Sequence, residues 1–291
     1  MTLDPQVVRR PARYLVAGSI AAAALLTGAW VLSRQSADAA DAALTLAVSQ
    51  TPITYADDKA EKPLLPGTGA LKGTILFNGE VPTLKLKVMK GDGSVKDPAV
   101  CAAQDIPDDT LVIDPKTKGI ANIFVYLDKA PAGYKHTPPT DEVVFDQHGC
   151  RFTPHVLFIQ VGQPLLIKSG DAIAHNTHAT PIRSEEFNVA IGANDRKGVK
   201  KGYNKAERNP VPIKCDLHNW MTAHHLVKDH PFGDNTDEKG EFEIRNLPAG
   251  KHEFVVWQER SGYLNKKFEV TIEAGKVAKG DMKFDAKKFG L

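Results

Sequence analysis

The sequence predicts an all-β protein, two β-sandwiches carried behind an N-terminal apolar helix, and three observations lead there. From about residue 70 onward, short runs alternate apolar and polar residues and are cut by Pro, Gly and Asp clusters, the period of half-buried strands. No segment after the N-terminal span sustains a long helical period. Beyond His230-Pro231 the text changes to a second β pattern, which suits a separate small sandwich.

The chain opens with Arg9, Arg10 and Arg13, followed by an uncharged run from Tyr14 to Ser33. Basic residues before an apolar span keep the N-terminus in the cytoplasm and send the rest outward, so residues 1–34 read as an export signal or membrane anchor. Ala37-Asp-Ala39 is a weak cleavage site and the run is just long enough to span a bilayer, which favours an uncleaved anchor. The paired arginines lack the flanking residues of a twin-arginine signal. The expected location is the periplasm or cell envelope, with residues 14–33 in the inner membrane.

Residues 35–69, rich in Ala, Asp, Thr and Pro, read as a tether. Leu71, Gly73, Ile75 and Phe77 then alternate with Lys72 and Thr74, and Asn78-Gly79 predicts a hairpin-like turn into a strand carrying Leu84, Leu86 and Val88. Further strands are expected at 110–113, 120–127, 143–146 and 155–161.

The stretch from Val211 to Met221 carries the chemistry. Val211, Ile213 and Cys215 fall on alternate positions, so one strand delivers the thiol to its buried end. Cys215, His218 and Met221 recur every three residues, which lets a short loop curl a thiolate, an imidazole and a thioether around one point. About forty residues upstream, after the strand-like run Val161 to Lys168, the segment from Asp171 to His178 supplies His175. Two imidazoles, a thiolate and a weak axial Met form the donor set of a blue-copper electron-transfer site. His178 is the substitute if His175 is not the upstream ligand. His155 follows a proline and opens a strand, so packing is its default role.

The run Gly162-Gln-Pro-Leu-Leu-Ile-Lys-Ser-Gly-Asp171 with Ala174-His-Asn-Thr-His178, followed by Cys215-Asp-Leu-His-Asn-Trp-Met221, resembles the cupredoxins, and the short Cys-x-x-His-x-x-Met loop is most similar to the amicyanin type. The resemblance implies a Greek-key sandwich over residues 70–230 and one type 1 copper held by His175, Cys215, His218 and Met221. It places Asn176 beside the ligands, restraining the thiolate sulfur. Asn219, where amicyanin-type loops have proline, and Thr177, where they have a bulkier aliphatic, depart from the pattern and bear on redox tuning more than on ligand identity. In this arrangement the His218 ring edge is the ligand nearest solvent, and Asn219 and Trp220 form the rim where a redox partner docks.

Three cysteines in an exported chain need accounting for. Cys101 and Cys150 are the natural disulfide pair in an oxidising compartment, leaving Cys215 as a ligand. A bridge from Cys215 to either would remove the site.

Phe242 and Ile244 alternate with charges, Pro248-Ala-Gly250 turns the chain, and Phe268, Val270 and Ile272 alternate again. The text Asp237-Glu-Lys-Gly-Glu-Phe-Glu-Ile-Arg-Asn-Leu-Pro-Ala-Gly250 resembles a carboxypeptidase-regulatory-like, or prealbumin-like, sandwich over residues 231–285. That domain's usual first strand matches Gly73 to Pro82 instead, so residues 70–90 are expected to complete it, with the cupredoxin-like part inserted.

A net charge of +2 implies neither nucleic acid nor a strong membrane field. The basic run Arg196, Lys197, Lys200, Lys201, Lys205 and Arg208 reads first as a solvated loop and second as a docking patch for an acidic redox partner. No His-x-His or His-Cys-His string, Ser-His-Asp set or Gly-rich phosphate loop stands out. The expectation is therefore a one-electron carrier and not an enzyme. The alternative is a non-redox envelope sandwich that binds a partner or glycan, with a vestigial or other-metal site.

Overall fold

The computed structural model describes residues 63–291. The expected apolar helix, signal or anchor at 1–34 and most of the 35–69 tether lie outside the described residues. What is described is nearly all strand. The helical pieces among the described residues are a single turn at Pro98–Cys101 and a 3-10 turn at Ala286–Phe289, neither long enough to cross a membrane.

The strands form four sheets that pack in two pairs. In the first pair, one sheet runs in the order Val156–Gln160, Thr222–Lys228, Val211–Lys214, His175–Ala179, Phe187–Ile191. Its first two strands are parallel and the other pairings antiparallel. The facing sheet holds Phe152–Thr153, Val143–Gln147, Leu165–Ser169 and Val199–Lys201. Alternate residues from the two sheets meet in one core, including Phe145, Ile159, Ile167, Val211, Ile213 and Val227. Fully burying side chains of this size contributes about 1.5–3 kcal/mol each.

The second pair is built differently. Thr68–Asn78 lies between Glu241–Pro248, antiparallel to it, and the short strands Val277–Lys279 and Met282–Asp285, parallel to it. The facing sheet runs Gly233–Asn235, Phe124–Leu127, Gly250–Gln258, Gly262–Ile272. Leu71, Ile75, Val125, Phe254, Val256 and Leu264 fill the space between. Gly73 permits the close approach of this sheet's parallel edge: a Cβ there would sit 2.4 Å from the carbonyl carbon of Gly280. A seam of Phe124, Tyr126 and Val255 from the second pair against Val156, Phe158 and Leu226 from the first joins the two cores.

Three sequence expectations change. Asn78-Gly79 does not make a hairpin, because both edges of Thr68–Asn78 are taken by strands from the far end of the chain. Leu84 to Val88 therefore has no free edge there, and Val88 makes only a single bridge to Ile106. The expected strand at 110–113 reduces to one bridge between Ile113 and Ile120, and the one at 120–127 shortens to Phe124–Leu127 after Asn122, whose φ is +63°. The strands expected at 143–146 and 155–161 form as Val143–Gln147 and Val156–Gln160.

Candidate metal centre

In the strand Val211–Lys214 residues alternate buried and exposed, so the next position, Cys215, inherits the inward face and is 1% exposed. The loop that follows closes on itself: the Cys215 N–H donates to the Met221 carbonyl at 3.1 Å and the Met221 N–H to that of His218 at 2.9 Å. The neighbouring antiparallel strand pairs His178 with Lys214, which brings its first residue, His175, alongside the loop.

These elements place three donor atoms together. His175 Nδ1 lies 3.0 Å from His218 Nδ1, and Cys215 Sγ lies 3.6 Å from His218 Nδ1 and 4.0 Å from His175 Nδ1. A trigonal ring of ligands about 2.1 Å from a central ion has edges of about 3.5 Å, so these separations suit one small ion. Both histidines are fully buried, and Met221 is 2% exposed in the adjoining core.

The outer nitrogens are held by carboxylates. His175 Nε2 is 2.9 Å from Asp171 Oδ2, and His218 Nε2 is 3.0 Å from Asp97 Oδ2. Such contacts fix the ring and its tautomer, leaving each Nδ1 free to face the thiol. Asp171 is itself buried and accepts the N–H groups of Gly149 at 2.6 Å and Cys150 at 2.8 Å. Burial pushes its carboxyl up, but the hydrogen bonds from His175, Cys150 and Gly149 outweigh this and keep it below the usual carboxylate range.

Asn176 sits beside the sulfur. Its Oδ1 is 3.3 Å from Cys215 Sγ and accepts the Asp216 N–H at 2.8 Å, while its amide donates to Asn188 and Asp216. Burial raises the Cys215 thiol, but hydrogen bonds with His175 and His218 bring it down to about 6. Burial disfavours charge on His175, yet Asp171 and Cys215 raise it to about 9.

His218, expected as the ligand nearest solvent, has a ring that is itself fully buried, although its partner Asp97 is 37% exposed against 4% for the Asp171 behind His175. Asp97 and the one-turn helix after it, tied down by a Cys101–Cys150 disulfide, cover the ring, which is 0% exposed. Trp220 adds to this cover: its ring lies 5.3 Å from that of His218 and its Nε1 donates to the Cys150 carbonyl at 3.2 Å. Asn219 is exposed and Trp220 partly so.

Other candidates lie elsewhere. His178 is held between Asp216 at 2.9 Å and Glu186 at 2.8 Å and does not join the cluster. Within the basic run, Arg196 pairs with Asp146 at 2.7 Å and Lys200 pairs with Glu142. Sequence reasoning missed Asp171 and Asp97 as partners of the two imidazoles. Asp171 had a signal, four residues before His175 in the motif itself, whereas Asp97 lies 121 residues from His218 and had none.

No protein-family model matches the chain, and no curated protein matches it. Among solved structures, it is similar to the copper-containing nitrite reductase NirK from Thermus scotoductus SA-01 (20% identity, 34% of this chain and 25% of that one, TM-score 0.27). It is also similar to a purple cupredoxin from Nitrosopumilus maritimus (16% identity, 29% of this chain and 97% of that one, TM-score 0.25). A third is amicyanin from Paracoccus versutus (16% identity, 35% and 96%, TM-score 0.26). The chain spans a quarter of the nitrite reductase's length.

Proposed function

We propose that this chain is an exported type 1 copper protein that passes single electrons to and from a protein partner in the cell envelope. The observation that carries the reading is the meeting of two imidazole Nδ1 atoms and one thiol within 4.0 Å in a buried site, each ring backed by a carboxylate. His175, Cys215 and His218 would hold the metal, with Met221 as the weak fourth donor. Copper bound there supplies one-electron chemistry between Cu(I) and Cu(II).

The protein's own part is to hold the donors still. Asp171 and Asp97 fix the two rings, Asn176 steadies the sulfur, and the Cys215–Met221 backbone bond closes the loop, so little need move when the charge changes. The disulfide-tied segment keeps water from His218. With that ring covered, the part-exposed indole of Trp220 is the surface from which electrons leave, and Asn219 and Trp220 are where the partner docks. A steep fall of association rate with salt would mark that partner as acidic.

The domain reading follows the strand pairing. A cupredoxin-like sandwich built from the strands between Val143 and Lys228 is inserted in a second sandwich formed by Thr68–Asn78, Phe124–Leu127 and the strands after 230. A tether from an inner-membrane anchor completes the proposed organisation.

Copper loading tests the function directly. The wild-type protein should develop an intense visible band from the short thiolate bond, and Cys215→Ser should lack it. A colourless wild type after copper addition under oxidising conditions leaves the non-redox envelope reading in its place.

A further inference from the structure

A second group of donors lies outside the thiolate centre, at the seam between the two pairs of sheets. His155 precedes the strand Val156–Gln160, His224 lies within Thr222–Lys228, and Glu259 follows Gly250–Gln258. On the middle strand, His225 faces Phe145 and Tyr203 in the first core while Leu226 belongs to the seam, so the alternation turns His224 toward the seam. The His224 N–H donates to the His155 carbonyl at 3.0 Å, which fixes the two histidines relative to each other.

Their side chains converge on one carboxylate. His155 Nε2 lies 2.5 Å from Glu259 Oε1 and His224 Nδ1 lies 3.3 Å from Oε2, and the three donor atoms lie within 4.8 Å of one another. All three side chains are largely buried, at 7%, 18% and 8% exposed for His155, His224 and Glu259. His224 Nδ1, although buried, has this 3.3 Å contact with the carboxylate and no well-formed hydrogen bond. A buried nitrogen without a well-formed hydrogen bond is costly. A cation held between the imidazoles and the carboxylate would satisfy it. Glu259 and His224 also line a cleft of about 440 Å³, shared with Asn219 and Trp220.

We infer that His155, His224 and Glu259 form a second metal site, for a divalent first-row transition ion of the zinc class. Two imidazoles and one carboxylate select such an ion over calcium or magnesium, which take oxygen donors. Three protein ligands beside a cleft leave a fourth position for water or a small ligand, unlike a closed four-residue structural site. The ion ties one pair of sheets to the other, because Glu259 comes from the second and both histidines from the first. Metal binding to imidazole competes with protons, so it strengthens with rising pH.

The test uses the full chain carrying Cys215→Ser, which removes the thiolate centre from the reading, titrated with Co²⁺ as the probe. One Co²⁺ per chain should bind, giving weak visible d–d bands without a sulfur charge-transfer band. His224→Asn and Glu259→Gln, added singly, should each weaken binding tenfold or more. Zn²⁺ should raise the melting temperature of the Cys215→Ser chain, and this shift should vanish with His224→Asn. Melting of the metal-free variants shows that they fold. No cobalt bands together with no zinc-induced shift, or cobalt affinity unchanged by both substitutions, would overturn the site and leave His155–Glu259 as an ordinary buried ion pair. Should either variant fail to fold, the zinc-induced shift in the parent chain decides alone: its presence supports the site and its absence overturns it.

Discussion

Two clusters on either side of the strand Thr222–Lys228 use the same residue types in opposite order. At the thiolate centre the carboxylates stand behind the imidazoles, Asp171 on the outer nitrogen of His175 and Asp97 on that of His218, and the inner nitrogens face sulfur. At the seam the carboxylate of Glu259 stands between the imidazoles, in the place a ligand would take. A carboxylate behind a ring orients it and makes it a better base, whereas one in front is itself a donor or an ion-pair partner. The position of one acidic group thus separates a centre built to hold a soft ion rigidly from one suited to a harder, more open site.

The largest expected effect comes from releasing the cover of the first cluster. The Cys101–Cys150 disulfide closes a separation of 49 residues, and chain entropy for such a loop is worth about 4 kcal/mol. Cys101→Ser with Cys150→Ser should lower the free energy of urea unfolding by that order, and should let solvent reach His218. A loss below about 1 kcal/mol would mean that the cover holds without its staple.

The seam answers to acid. Burial raises the Glu259 carboxyl, but the hydrogen bond with His155 and the close contact with His224 bring it down to about 2, below the 4.5 of an unfolded chain. A depressed folded value means the unfolded chain binds more protons, so this stability is fully present above pH 4.5 and is lost as the pH falls from there toward 2. The sum is on the order of 3 kcal/mol at about 1.4 kcal/mol per pH unit. Urea midpoints of metal-free protein across that window should fall with acid, and the fall should flatten in Glu259→Gln. An unchanged slope in that variant would assign the acid sensitivity to other groups.

The two backing carboxylates themselves should differ. Asp171 is 4% exposed and takes two backbone N–H groups besides His175, so Asp171→Asn should cost about 2–3 kcal/mol and at least tenfold in copper affinity. Asp97 is 37% exposed, and Asp97→Asn should cost under about 1 kcal/mol. Equal losses in the two variants would contradict the contrast drawn between a buried and a rim carboxylate.

Much of the first cluster could be read from the chain because its donors sit in two short segments. Cys215, His218 and Met221 share one loop at the end of an alternating strand, and His175 opens the strand beside it. Asp97 and the covering of His218 could not be read, because they depend on where a disulfide pins an irregular segment with no period of its own. The seam cluster was hidden for a related reason: His155 and Glu259 are 104 residues apart and belong to different pairs of sheets. The Asn78-Gly79 turn misled because local turn chemistry was overruled by strands arriving from the far end of the chain. Alternation in Thr68–Asn78 and Glu241–Pro248 was plain, since burial on one face leaves its period in the text, whereas Val156–Gln160, buried throughout, reads as a short apolar run.

The placement of Thr68–Asn78 has a consequence in time as well as space. Its neighbours are Glu241–Pro248, Val277–Lys279 and Met282–Asp285, and the hydrogen bond from Leu65 to Asn246 spans 181 residues. A chain that emerges N-terminus first makes this strand early and cannot pair it until nearly everything else exists. The half that holds the thiol and its two imidazoles has all of them once the strand ending at Lys228 is complete, so it can close while Ile75 and Phe77 still wait. During that interval an apolar strand has two bare edges, the condition in which chains join to one another instead of to themselves. Pairings of such long reach also form slowly. The rate at which this protein matures is therefore expected to be set by closure of the sheet around Thr68–Asn78, and a chain cut short after Lys228 would keep its donors yet carry that unpaired strand for good.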